Sequence, residues 1–217
     1  MKKTGPFLLA FFSILILSAI PIFYKFNIIP QNLALDELEF AHLTMLLQNS
    51  PYTVYSTYAT GHATLYFYIL LWFFNTFGIS EFVLRLPAAI FGWMNGGLIF
   101  VIYYSTFSHL KKRQAPQTWI LIISVMGTLL FIFCRWQFQF ARFAFEATFL
   151  QMLELISLVS FLYFIRSKKL FYLCLSALFA GLCFHSYIPR TIFFLVPTPA
   201  LIMSIQTDVR PPIGTST

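Results

Sequence analysis

The sequence predicts an all-α fold: a polytopic membrane helical bundle of about six transmembrane helices, with outer-face interfacial helices in its first loop. Three observations lead there. Of 217 residues, 59% are hydrophobic and only 10% charged, against about 25% charged in a soluble domain. Mean hydropathy is +0.79. The cations gather beside apolar runs, at Lys2-Lys3, Lys111-Lys112-Arg113 and Arg166–Lys169, as the positive-inside bias of cytoplasmic loops requires. Residues 1–205 read as one membrane domain. The polar tail 206–217, with Pro211-Pro212, reads as disordered.

The runs are 7–24, 82–107, 118–134, 143–165, 170–188 and 191–205. The first exceeds the roughly 7–15 apolar residues of a signal peptide and has no small-residue cleavage site behind it, so it reads as an uncleaved helix. A further run, Thr64 to Phe77, is too short to cross. Counting it as a crossing would also put Lys111–Arg113 on the wrong side. It is therefore expected to lie in the interface or dip in from the outer face. This leaves Lys25 to Arg85, Arg135–Arg142 and His185–Arg190 on the non-cytoplasmic side, with the N-terminus and Arg166–Lys169 cytoplasmic. Chemically varied gaps thus open on one face, and simple basic gaps on the other.

In the first loop, Asp36-Glu-Leu-Glu39 has the spacing of a helix N-cap with a glutamate three residues on. Leu38, Ala41, Met45 and Leu46 then share one side of a short helix, which Asn49-Ser-Pro51 ends.

A net charge of +7 suggests nucleic acid, but no basic patch exists outside the topogenic clusters. Cys134, Cys174 and Cys183 fit neither a metal knuckle nor a redox pair and read as small core residues. There is no glycine-rich nucleotide loop, no Ser-His-Asp set and no HExxH helix.

The candidate chemistry lies in the outer gaps. Asp36 and Glu37 fit capping and first-turn dipole roles, and equally a general base facing an acceptor hydroxyl. Arg142 and Glu146, four apart, are expected on one helix face, as a structural ion pair or with Arg142 binding a phosphate. Arg85 could snorkel to the interface or hold an anionic leaving group. His62 and the run His185-Ser-Tyr187-Ile-Pro-Arg190 complete the set, although a lone histidine in an apolar setting is more often a satisfied core residue. No cofactor is implied with certainty. Asp36, Glu37 and His62 offer part of a divalent cation site.

Four stretches in order carry a resemblance: Leu35-Asp-Glu-Leu-Glu-Phe-Ala; His62-Ala-Thr-Leu-Tyr-Phe-Tyr with Phe77-Gly-Ile-Ser-Glu-Phe-Val-Leu-Arg-Leu-Pro; Gln139-Phe-Ala-Arg-Phe-Ala-Phe-Glu146; and His185-Ser-Tyr-Ile-Pro-Arg190. Through them the chain resembles the GT-C class membrane glycosyltransferases of the protein O-mannosyltransferase and aminoarabinose-transferase superfamily. More narrowly, it is similar to the N-terminal part of the bacterial RgtA/B/C/D-like domain. The resemblance implies an inverting glycosyltransferase of the cell membrane. Such an enzyme moves a sugar from a polyprenyl-phosphate donor to an acceptor at the outer face, among membrane lipid. It implies Asp36 as catalytic base with Glu37 beside it, and Arg85 supporting the loop or the lipid phosphate. Arg142 and Glu146 match the second outer-loop cluster, where relatives often carry an aspartate. Where relatives have His-Pro-Pro, this chain has Gly61-His62-Ala63. Relatives also continue through further helices, so the chain is expected to be a fragment. A transporter or flippase for lipid-linked substrates, which would show inverted repeats, is the alternative, and a non-catalytic membrane scaffold is a third.

Overall fold

A computed structural model describes residues 4–55, 62–109 and 116–186, and these are organised by helices alone. The described helices are α1 (Thr4–Phe23), α2 (Leu35–Leu47), α3 (Leu65–Phe77), α4 (Glu81–His109), α5 (Gln117–Ile132), α6 (Arg135–Ala141), α7 (Ala147–Ser167) and α8 (Leu170–Cys183). The described residues contain no strand beyond an isolated antiparallel bridge between Tyr55 and Ala63.

Among the described residues, three helices are long and apolar enough to cross a membrane: Gly5–Phe23, Glu81–Ser108 and Ala147–Ser167. Of the six expected spans, 7–24, 82–107 and 143–165 correspond to these. The span expected over 118–134 is a 16-residue helix that meets α6 at a 60° bend, so the pair makes at most one broken span. Bending follows from Phe133-Cys134, where the backbone leaves the helical region before Arg135 restarts it. The run expected over 170–188 is helical over 14 residues, about 21 Å of axis and short of a hydrocarbon core of about 30 Å. The expected span 191–205 and tail 206–217 lie outside the described residues, as do Lys2-Lys3 and Lys111–Arg113.

The hub is α4, which packs against α1, α3, α5, α6 and α7. Its sequence explains why. Ala88, Gly92 and Gly96 recur every four residues, the small-residue spacing that lets helix backbones approach closely. A Cβ built on Gly92 would overlap the Cβ of Ala141 on α6 and lie 3.2 Å from its Cα. One on Gly96 would meet Ser18 of α1 at 3.0 Å. Polar side chains then tie the crossings: Trp93 Nε1 donates to Leu15 O at 2.8 Å, and Asn95 Nδ2 donates to Gln151 Oε1 at 2.9 Å and Thr148 O at 3.1 Å. In hydrocarbon such bonds contribute where area burial between helices cannot.

The two ends of the bundle differ. At one, Phe7 of α1 packs on Phe100 and Tyr104 of α4, and Arg166 of α7 donates to Ser108 Oγ at 3.0 Å. At the other stand the end of α1, the starts of α4 and α7, and α6, with the 24–34 loop, α2 and α3 laid over them. A core of Phe40, Leu43, Phe67, Leu70, Leu84 and Phe149 holds α2 and α3 onto α4 and α7. Of the four residues expected to share the outward side of α2, Leu38, Met45 and Leu46 are exposed, whereas Ala41 packs against the core. Like the expected interfacial segment, α3 is short, with Tyr66 and Phe67 fully buried and Trp72 and Phe77 exposed.

Candidate active site at the loop-bearing end

The start of α2 separates two adjacent acids. A helix advances about 100° per residue, so consecutive side chains leave on different faces. Asp36 is exposed, while Glu37 is 1% exposed. Asp36 is not the N-cap that its spacing suggested. That position is Ala34, and the helix begins at Leu35, two residues early. Glu37, third in the helix, reaches back to accept from Ala34 N at 3.0 Å. This is the glutamate half of a capping box, and alanine has no side chain to supply the other half.

The Glu37 carboxylate is fully engaged. Its Oε1 accepts from Arg85 Nε at 2.8 Å and from Ala144 N at 2.9 Å, and its Oε2 accepts from Arg85 Nη2 at 2.8 Å as well as from Ala34. Burial pushes its pKa up, but the bonds from Arg85, Ala144 and Ala34 outweigh burial and hold it below the ordinary carboxylate range. Four donors leave no lone pair for an acceptor's proton. Arg85 extends the network, donating through Nη1 to Pro30 O at 2.9 Å and through Nη2 to Asn32 O at 3.0 Å. Its guanidinium holds the loop that leads to Asp36.

Arg142 and Glu146 do not form the expected ion pair. The i, i+4 rule needs a continuous helix. Here Arg142 ends α6 and Glu146 precedes α7, with a break between them. Arg142 instead turns to the end of α1: Nη1 donates to Pro21 O and Tyr24 O, each at 2.8 Å, and Nη2 to Ile29 O at 2.7 Å. Pro21 O and Tyr24 O are orphan carbonyls at a helix C-terminus and Ile29 O belongs to the loop beyond it, all matched by a cation with a planar fork. Lys25 makes the turn with φ of 49°. Both buried arginines, for which an anion-binding role is one of the two readings of the sequence, thus donate to the 21–32 backbone.

Glu146, fully buried, lies 2.9 Å from Nδ1 of His62. A carboxylate on Nδ1 fixes that nitrogen as the proton carrier and leaves Nε2 as the basic nitrogen of the neutral ring. His62 keeps 25% side-chain exposure and packs edge-on against Phe40 at 5.8 Å. Thr64 fastens the following turn by donating to Thr53 O and Val54 O.

Asp36 and Glu37 line a cavity of about 210 Å³ with Gln139, Phe140, Ala144 and Phe145. Phe140 stacks on Phe145 at 5.5 Å, and Phe145 on Phe40 at 5.7 Å, so an aromatic wall runs from the Asp36 cavity towards His62. His185 sits in the turn after α8, its Nδ1 buried without a hydrogen-bond partner among the described residues. Tyr187 and Arg190 lie outside the described residues. Among the described residues no three His, Cys, Asp or Glu side chains come together as a cation site. Reading the sequence missed Glu154, which lies inside an apolar run. The signal available was an acid in a span, where ionisable residues are costly.

Comparison with protein-family models, curated proteins and solved structures finds no match to this chain.

Proposed function

We propose that this protein is an inverting glycosyltransferase that moves a sugar from a polyprenyl-phosphate donor to an acceptor hydroxyl or amine at the non-cytoplasmic face of the cell membrane. The observation that carries the reading is the division of labour at the start of α2. Glu37 is locked into Arg85, whereas Asp36, next to it, is exposed in a cavity at the end of the bundle where the other candidate residues gather. Asp36 takes the acceptor proton as the acceptor attacks the anomeric carbon. The lipid phosphate leaves from the opposite side as a stabilised anion. Glu37, Arg85 and Arg142 fix the loop that presents Asp36, so they act through it as positioning residues. The His62–Glu146 pair stands at the far end of the aromatic wall, where a polar substrate group can meet an imidazole nitrogen.

The test is transfer of label from a radiolabelled polyprenyl-phosphate hexose in membranes carrying the full chain. Transfer that falls at least a hundredfold in Asp36→Asn and is retained in Glu39→Gln supports the assignment. Equal transfer by parent and Asp36→Asn removes Asp36 as base. A transporter instead moves label across the bilayer without changing the sugar's covalent partner.

A further inference from the structure

We infer a second ligand site, distinct from the Asp36 cavity, in which Glu154 receives the ammonium head of a membrane amphiphile. Glu154 is the one acid of α7 and stands seven residues beyond Ala147, about 10 Å along the axis from the start of the span. Neither a hydrogen bond nor an ion pair partners it among the described residues. A carboxylate at that depth ordinarily faces a partner or a functional cavity. Glu154 lines a cavity of about 270 Å³ between α5, α6 and α7.

The rest of that cavity defines the ligand. Gln137, Thr148 and Gln151 share its lining with Glu154, and no Lys, Arg or His does. Gln137 spends Nε2 on Gly92 O, and Gln151 spends Oε1 on Asn95, so Gln137 Oε1 and Gln151 Nε2 have no described partner. A polar floor therefore presents one carboxyl and a spare amide at each of two positions. The missing complement to the carboxylate is a cation. Trp136 and Phe140 stack at 5.6 Å and form an aromatic wall of the same cavity, a surface that also favours cations.

The remaining walls say where the ligand comes from. Phe131 and Leu150 are apolar, and Trp136 is 70% exposed. Leu130 and Phe133, the chain neighbours of the lining residues Phe131 and Cys134, are likewise exposed. A ligand entering past these residues from hydrocarbon keeps its chain in contact with them while its head reaches Glu154. A lipid ending in a free ammonium meets both requirements, and a fatty acid or phosphate head places like charge against Glu154.

The experiment uses the full chain in phosphatidylcholine nanodiscs, titrated with spin-labelled stearylamine, stearyl alcohol and stearic acid. The signal is the fluorescence that Trp136→Phe removes, plotted against the mole fraction of probe in the disc, so that unequal partitioning cancels between the three probes. The amine is expected to half-quench it at a concentration at least fivefold below the alcohol and the acid. Glu154→Gln brings the amine to within twofold of the alcohol, and Glu154→Asp keeps the preference. An amine no better than the alcohol in the parent overturns the site without any variant. A preference that survives Glu154→Gln assigns the cation to another group. Neither result depends on sugar transfer.

Discussion

Replacing Glu37 by glutamine keeps the shape of the side chain and removes its charge. Four buried donors, Arg85 Nε and Nη2 and the amides of Ala34 and Ala144, then face one amide oxygen instead of two carboxylate oxygens. The oxygen can satisfy two of them, and the new NH2 group points at the others. Two buried donors left unmade cost about 1–3 kcal/mol each. That agrees with the about 3–5 kcal/mol measured when one member of a buried ion pair is removed. We expect a loss near 4 kcal/mol, or roughly 12 °C in apparent Tm for a chain of this size.

The assay is thermal unfolding in detergent at a fixed scan rate, followed by a thiol-reactive dye at Cys183, with the exposed Cys134 and Cys174 changed to serine. The pH dependence has a definite sign. The folded pKa of Glu37 lies below its ordinary value of 4.5, so the unfolded state binds the proton first as pH falls. The stability it contributes is complete above 4.5 and is lost as the pH drops through the depressed folded value. Parent Tm should decline over that acid window, and Glu37→Gln should lack that part of the decline. A fall of less than about 3 °C at neutral pH refutes the network's structural role.

Other outcomes follow from the same geometry. Asp36→Asn, exposed and outside the network, should change stability by less than about 0.5 kcal/mol while abolishing transfer, read by melting and activity in parallel. Gly92→Ala should cost about 1–3 kcal/mol because its Cβ has no room beside Ala141, and Ala141→Gly in the same chain should restore most of the melting temperature. Arg142→Lys cannot span Pro21, Tyr24 and Ile29 carbonyls together. It should lose about 2 kcal/mol and expose the 24–34 loop to limited proteolysis, seen as new cleavages by mass spectrometry.

What could be read from the sequence was set by how local the cause is. Gly5–Phe23, Glu81–Ser108 and Ala147–Ser167 declare themselves because apolar length is a property of one segment. The α2 helix was legible for the same reason, and its outward Leu38, Met45 and Leu46 follow from a 3.6-residue period. Its start was misplaced by two residues, since an aspartate is a better cap than Ala34 and only the bond from Ala34 N to Glu37 shows otherwise. The Arg142–Glu146 spacing misled because it assumes unbroken helix where the chain turns. The true partners, Glu37 with Arg85 and His62 with Glu146, lie 48 and 84 residues apart, beyond any periodicity. Glu154 was overlooked because a hydropathy window averages one acid into its apolar neighbours.

The arginine clamps also impose an order on biogenesis. The carbonyls of Pro21 and Tyr24 leave the ribosome early, yet the guanidinium that satisfies them comes 121 and 118 residues later. Until α6 is made, the loop ahead of Asp36 must rest on water and headgroups, and Arg85 can secure only its later part, at Pro30 and Asn32. The exposed acid therefore takes its position in two stages as the chain is inserted, and a nascent chain halted before residue 142 carries Asp36 on a strap held only at its later part. Closure of the Arg142 clamp is what completes the cradle that holds Asp36 in place.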